Sequence, residues 1–151
     1  MIYYKEDGIT HINIYSRGKT ALGRFLSNFA HTPIEINGEK FESVEGYWYW
    51  LLADPVNDRR PDLKELYGYE AKKLGKSIRY HNEENIFEFR DKIYIAFLTK
   101  INKYPIFKIT LIVSDLPLVH YYVFGNKVIE PRQHQWITDM WEKIRENLKA
   151  Y

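Results

Sequence analysis

The stretch GRFLSNFAHTPIEINGEKFESVEGYWYWL, residues 23–51, carries two local signals that decide the fold class. Pro33–Ile36 and Lys40–Phe41 flank Asn37-Gly38, a dipeptide that tolerates the positive φ angles of a two-residue hairpin turn. This predicts a β-hairpin. Ser43 then offers a helix N-cap. Val44, Tyr47, Trp48, Leu51 and Leu52 follow at i, i+3, i+4, i+7 and i+8, the spacing of one buried helix face. Asp54-Pro55 closes that helix, because proline disfavours helical backbone in the residue before it. Asn57–Pro61 reads as a polar loop.

Outward from this core the pattern stays mixed. His11–Tyr15 alternates apolar and polar residues and predicts a strand, so residues 10–42 read as a small β region with loops. Ala71, Leu74 and Ile78 predict a short amphipathic helix. Ile86, Phe89, Ile93, Phe97 and Ile101 lie on one stripe and predict a helix over about 84–101. Residues 105–113 fit either a strand, being rich in β-branched residues, or a helix with Pro105 in its first turn. Ile137, Met140, Trp141, Ile144 and Leu148 form the face of a last helix, about 133–149. The expected class is α+β: one predominantly helical domain over residues 1–151, with a small antiparallel β region near the N-terminus.

Composition narrows the chemistry. The 151 residues carry 22 basic and 20 acidic side chains, a net charge of +2, too small to argue for a protein that binds nucleic acid by charge alone. There is no Cys, which excludes disulfides, thiolate metal sites and a cysteine nucleophile. Thirteen Tyr, eight Phe and four Trp supply core area and also stacking walls for planar ligands. The N-terminal residues lack the pattern of a signal peptide, and no apolar run is long enough to span a bilayer, so a cytoplasmic protein without a membrane partner is expected. HExxH, GxSxG, Walker A and GxGxxG motifs are absent. The five His residues, at 11, 31, 81, 120 and 134, contain no i, i+4 pair, and neither a metal nor a cofactor is expected.

Several residues remain as candidates for binding or chemistry. Asn28, set between aromatics in Phe25-Leu26-Ser27-Asn28-Phe29, offers donors and an acceptor for ribose hydroxyls or phosphate oxygens. It equally suits a turn in which it bonds its own backbone. Arg17, Lys19 and Arg24 flank this stretch and are phosphate candidates. Glu45 lies in the first turn of the helix that Ser43 caps, where the helix dipole favours a carboxylate. Beside Tyr49 and Trp50, desolvation would raise its pKa and a nearby cation would lower it again. Lys72, Lys76 and Arg79 share a helix face that suits a phosphate, although a solvated surface is the commoner use of such a run. Trp136 and Trp141 are roughly 140° apart around the last helix. Trp141 therefore joins the core, and Trp136 is left to stack on a ring or to pack beneath the β region.

At these residues the chain resembles a known family. Residues 23–51 are similar to the opening of the NADAR domain, the YbiA-like N-glycosidase superfamily, whose pattern runs xLSNFxxxPhxhxGxxaxSVEhhhxxxK. YEAKKLGKSIR resembles that family's alanine-and-glycine helix, and AFLTKINKYP its AhxxKFxxxP helix. Leu116–Arg145 resembles the family's tail. The resemblance implies a mainly helical fold and cleavage of N-glycosidic bonds in ribosylamine intermediates or ADP-ribose conjugates, including ADP-ribosyl-guanine in nucleic acid. It puts Glu45 at the position expected to be catalytic. Ser27 and Asn28 match its ligand-contacting pair, and Lys100 matches the Lys of its KF motif. The departures are specific. Gly46 replaces the His after the Glu. Tyr49 and Leu52 fall near the usual Gln and Lys. Tyr121–Gly125 lacks the acid and the Trp of DxxWG, and His120 replaces the Glu of LVE.

The expected function is therefore hydrolysis of the N-glycosidic bond of a ribosyl or ADP-ribosyl compound. Glu45 would stabilise an oxocarbenium-like transition state or activate water. Trp48, Tyr49 or Trp50 would stack on the base or shield the cation, with Phe29 and Trp136 as further aromatic walls. Arg17, Arg24, Ser27 and Asn28 would hold phosphate and ribose. His120 reads either as a leaving-group acid or as a core histidine in an apolar run. Two other readings stand beside this one. The first is a non-catalytic ADP-ribose or nucleotide-binding module. The second involves nucleic acid, as an ADP-ribosylated substrate or as a partner of the exposed aromatics and the Lys72–Arg79 helix.

Overall fold

The computed structural model describes residues 3–150. In chain order its elements are β1 (Ile12–Asn13), α1 (Ala21–Leu26), β2 (Ile34–Ile36), β3 (Glu39–Phe41), α2 (Val44–Leu52), α3 (Gly68–Ile78), α4 (Phe89–Lys103), α5 (Pro105–Val113), β4 (Leu118–Val119), β5 (Tyr122–Phe124), β6 (Lys127–Ile129) and α6 (Gln135–Lys149). Short 3₁₀ turns lie at Tyr4–Glu6, Arg60–Glu65, Glu83–Asn85 and Arg132–His134. The architecture is α+β and predominantly helical. It groups into two compact units: Asn28–Lys103, and the two flanking stretches up to Ser27 and from Tyr104 on. No helix among the described residues is long and apolar enough to cross a membrane.

The Asn28–Lys103 unit is built around α2. The hairpin that feeds it turns at Asn37 (φ 52°) and Gly38 (φ 80°), the two positive-φ positions a type I′ turn requires. The antiparallel register Ile34↔Phe41 and Ile36↔Glu39 sends Ile34, Ile36 and Phe41 into the core. Ser43 Oγ accepts from Gly46 N at 3.0 Å, satisfying a first-turn amide as the sequence predicts. It also donates to the Leu66 carbonyl at 2.8 Å. α2 packs against β3, the 60–65 turn, α3 and α4, and so is buried on nearly every side. Its single predicted apolar face was too narrow. Leu51 is only half-buried, while Glu45 and Tyr49 are buried with Tyr47 and Trp48.

Two glycines permit this crowding. A Cβ on Gly46 would stand 2.3 Å from the Leu63 carbonyl oxygen. A Cβ on Gly75 would stand 2.1 Å from Tyr49 Cγ. α3 therefore lays Ala71, Leu74 and Gly75 against its neighbours, and Ile78, expected on that face, is half-buried. α4 begins at Phe89 instead of near Glu84. Glu88 takes a left-handed φ of 54°, which a helix cannot continue through, and residues 83–85 form a separate turn closed by Asn82 and Asn85. Its buried face is Phe89, Ile93, Ala96, Phe97, Lys100 and Ile101.

The other unit departs further from the sequence reading. Of His11–Tyr15 only Ile12–Asn13 is strand, and all five residues are buried instead of alternating. β1 pairs in parallel with β4 (Ile12↔Leu118, Asn13↔Val119), so sheet partners distant in sequence cover it. The antiparallel β region near the N-terminus is thus β2–β3 alone. Residues 21–26, expected as loop, form α1: Thr20 Oγ1 accepts from Gly23 N at 2.9 Å, and Phe25 stacks on Phe107 of α5 at 4.1 Å between centroids. Pro105 opens a helix, resolving the ambiguity over 105–113. β5 and β6 form a second hairpin, which the sequence reading did not anticipate, with Gly125 at φ 63° in its turn. α6 buries Ile137, Trp141 and Ile144 as predicted, while Met140 and Leu148 are half-buried. It also buries Arg145, which donates to the Ser114 and Leu116 carbonyls and pairs with Glu142 at 2.7 Å.

Candidate active site around Glu45

Glu45 is the second residue of α2, and the cap at Ser43 fixes where that helix starts. Its backbone N–H donates to the Asn28 carbonyl at 3.0 Å, tying the turn after Ser27 to the helix entry. Its side chain is 9% exposed, and its carboxyl accepts no hydrogen bond among the described residues. Burial pushes its pKa up to about 7, against an opposing pull from Lys72 and then Lys76 of α3. A carboxyl in that state populates both its acid and its base form near neutral pH, the range in which general acid–base catalysis is most effective.

The neighbouring groups fall into clear roles. Asn28 does not bond its own backbone through Oδ1; that oxygen is buried with no hydrogen-bond partner. Buried polar atoms are normally satisfied, so an empty acceptor beside the entry of α2 is a feature a ligand hydroxyl or amide would complete. Phe29 is half-buried, with the Lys72 ammonium 5.9 Å over its ring centroid. Trp48 is buried and meets Phe89 edge-on at 4.9 Å. Tyr49 is buried and lies on Gly75. Trp50 is half-buried, but one ring face already carries the Arg60 guanidinium at 3.6 Å, and Phe41 meets it edge-on. Of the aromatics expected to stack on a ligand, Tyr49 and Trp50 are thus engaged within the protein.

Lys100 is wholly buried on α4, and desolvation pulls its pKa down to about 7. A lysine matched by its position in a motif thus has an environment that favours its neutral amine.

The remaining predicted residues lie in the other unit. Arg17 is exposed. Arg24 is exposed and donates through Nη1 to the Gly18 carbonyl at 2.8 Å, bracing the loop before α1. Ser27 is buried at the end of α1. His120 Nδ1 donates to the Ile14 carbonyl at 2.6 Å. Burial holds its pKa below the usual range despite that bond, with His134 acting in the same direction. At neutral pH it is therefore a neutral imidazole and not a charged proton donor. Trp136 is half-buried in the first turn of α6.

Lys72 and Lys76 were legible as a helix face but not as neighbours of Glu45. The available signal was Ala71 and Gly75, small residues at i, i+4 that mark the packed seam one step round the helix. Arg79, grouped with them by spacing, bonds Asn82 and the His81 carbonyl instead. No group of three or more His, Cys, Asp or Glu is placed to hold a metal among the described residues.

Neither a protein-family model nor a curated protein matches the chain. Among solved structures, the NMR structure of the E. coli protein YbiA is similar, with a TM-score of 0.68 over 94% of this chain and 90% of that one, at 16% identity. Sequence divergence of that order leaves the likeness one of backbone arrangement. The chain has a YbiA-like fold.

Proposed function

We propose that this chain is an N-glycosidase that hydrolyses the N-glycosidic bond of a ribosyl or ADP-ribosyl compound, with Glu45 as its catalytic carboxylate. The observation that carries the reading is a buried carboxyl that accepts no hydrogen bond among the described residues, held near neutrality by desolvation against two lysines. Cleavage at an anomeric carbon passes through an oxocarbenium-like cation. An ionised Glu45 would stabilise that cation and take a proton from the attacking water; a protonated Glu45 would donate to the departing base. Asn28 Oδ1 would accept from a ribose hydroxyl, and Phe29 would wall the sugar. Arg17, Arg24, Ser27, His120 and Trp136, the other residues expected to bind, belong to the other compact unit and take no part in this reading of the Glu45 site. A nucleotide-derived substrate and a chain free of cysteine fit the cytoplasm.

The test is a product assay with four substrates: a ribosylamine phosphate, NAD, a free ADP-ribose conjugate and an ADP-ribosylated guanine oligonucleotide. Release of free base together with reducing ribose from at least one is the expected result. A second reading, a non-catalytic ADP-ribose-binding module, draws on the engagement of Tyr49 and Trp50 within the protein. It predicts calorimetric binding of ADP-ribose with no product from any of the four after long incubation.

A further inference from the structure

α5 turns one side inward: Leu111 is buried, and Phe107 stacks on Phe25 of α1 at 4.1 Å. The opposite side carries Ile106, Ile109 and Val113 at i, i+3 and i+7, exposed by 78%, 61% and 68%. Thr110 lies on that side too, and its hydroxyl donates to the Ile106 carbonyl at 2.8 Å, which satisfies its polar atom within the helix. Lys108, the one charged residue of α5, falls on the other side. Two turns of helix thus present an aliphatic face without a charge. Exposed large apolar side chains elsewhere stand no more than one to a helix or strand among the described residues. Single ones are ordinary, whereas a contiguous face marks a contact surface. The ends of α5 say what covers it. Tyr104 stands at the N-cap position without a capping hydrogen bond, and the first turn contains no acid. Asp115 follows the other end, where the helix dipole disfavours a carboxylate. Its side chain is 92% exposed and meets Lys149 at 3.2 Å.

We propose that this face of α5 is the contact surface of a homodimer, in which two copies pack α5 on α5 antiparallel around a twofold axis. In such an interface residue i meets j and j meets i. Centring the axis between Ile109 and Thr110 sets Ile106 opposite Val113 of the second copy, and Ile109 opposite Thr110 of the second copy. In that register Asp115 of each copy comes level with Tyr104 of the other, at the positive end of the facing helix. The acid leaves an unfavourable helix end for a favourable one, twice in each dimer. A parallel pair would instead bring the two Asp115 carboxylates together. α5 has nine residues and is about 13 Å long. Its face is therefore smaller than the roughly 1,000 Å² of a standard stable interface, and the dimer is a reversible one of micromolar affinity. The dimer does not depend on the N-glycosidase reading.

The test is sedimentation velocity on the full chain from about 1 to about 500 μM, with the fold of each variant checked by NMR. Wild type should pass from monomer to dimer across that range. Ile109→Glu should weaken association by roughly tenfold or more, and Asp115→Asn by about threefold. Ile95→Glu, which charges an exposed isoleucine of α4, should leave it unchanged. The chain contains no Cys, so single cysteine substitutions report the orientation on oxidation. Ile109→Cys should cross-link to itself. Ile106→Cys and Val113→Cys should each fail to do so alone and should cross-link when mixed. These substitutions keep the question open to measurement if Ile109→Glu does not fold. A wild type that stays monomeric at the top of the range overturns the proposal; if its α5 amides then shift on adding phosphatidylcholine vesicles, the face belongs to a lipid surface instead. A dimer indifferent to Ile109→Glu also overturns it, as does Ile106→Cys cross-linking to itself.

Discussion

A carboxyl taken out of water holds its proton more tightly, and Glu45 does so up to a pKa of about 7 from an ordinary 4.5. The folded chain then keeps a proton between those pH values that the unfolded chain has released. Stability falls as pH rises through that window and stays lowered above it. Glu45→Gln should therefore make the protein more stable at pH 8, by about 3 kcal/mol, with the gain vanishing below pH 4.5. Urea unfolding of both proteins at pH 4.5 and pH 8 measures it; equal stability at pH 8 would show that the carboxyl is not desolvated. Lys100 works in the opposite sense. Its pKa is drawn from 10.5 down to about 7, so its cost is full below pH 7 and fades as pH rises toward 10.5. The Lys100 ε-carbon should titrate near pH 7 by ¹³C NMR; a midpoint near 10.5 would place its amine in water. The direction of the Glu45 shift was legible from its aromatic neighbours in sequence, while the Lys100 shift was not. The burial of α2 comes from elements well beyond it in sequence, α3 and α4 among them, and a motif match at Lys100 says nothing of solvent.

At the scale of elements, the interface of α2 and α3 includes one contact that leaves no room for an added atom. The Tyr49 ring occupies the space a Gly75 side chain would need. Gly75→Ala should cost about 1–3 kcal/mol, and the loss should be smaller when Tyr49 is first truncated to alanine. A double-mutant cycle in chemical denaturation checks this; simple additivity would mean the ring moves aside freely. The same crowding holds at two positions of α2. Gly46 leaves no room for a side chain because the Leu63 carbonyl fills the position, and the Tyr49 ring lies on Gly75 of the facing helix. What the sequence revealed here follows the range of the forces. The Asn37-Gly38 turn and the Ser43 cap are settled within a few residues and were readable. β1 depends on β4, more than a hundred residues on, and α1 is six residues long and packs on α5 and β1. The β5–β6 hairpin had a usable signal in Gly125-Asn126, at the centre of the run Tyr122–Ile129.

At the scale of the whole molecule, the α+β class was legible because apolar periodicity marks α2, α3 and α6, with the Ser43 cap fixing the start of α2. The site was legible only in part. Glu45 and Asn28 could be singled out, but Lys72 and Lys76, whose charges oppose the effect of burial on Glu45, belong to a helix whose orientation no local pattern states. The weak net charge of +2 also hides a pair of cations whose charges act on a buried acid. If the Glu45 site takes an ADP-ribosyl compound, ADP-ribose should stabilise the native chain by mass action. The melting temperature should then rise with ADP-ribose concentration and not with ribose; equal effects of the two would point to nonspecific solvation. The most direct measurement is turnover of the best substrate from the four-substrate assay by wild type and Glu45→Gln, at pH 7, with the fold of the variant checked by NMR. Glu45→Gln should lower turnover by about 10²-fold or more while leaving the fold intact. Turnover within a few-fold of wild type would remove Glu45 from the chemistry.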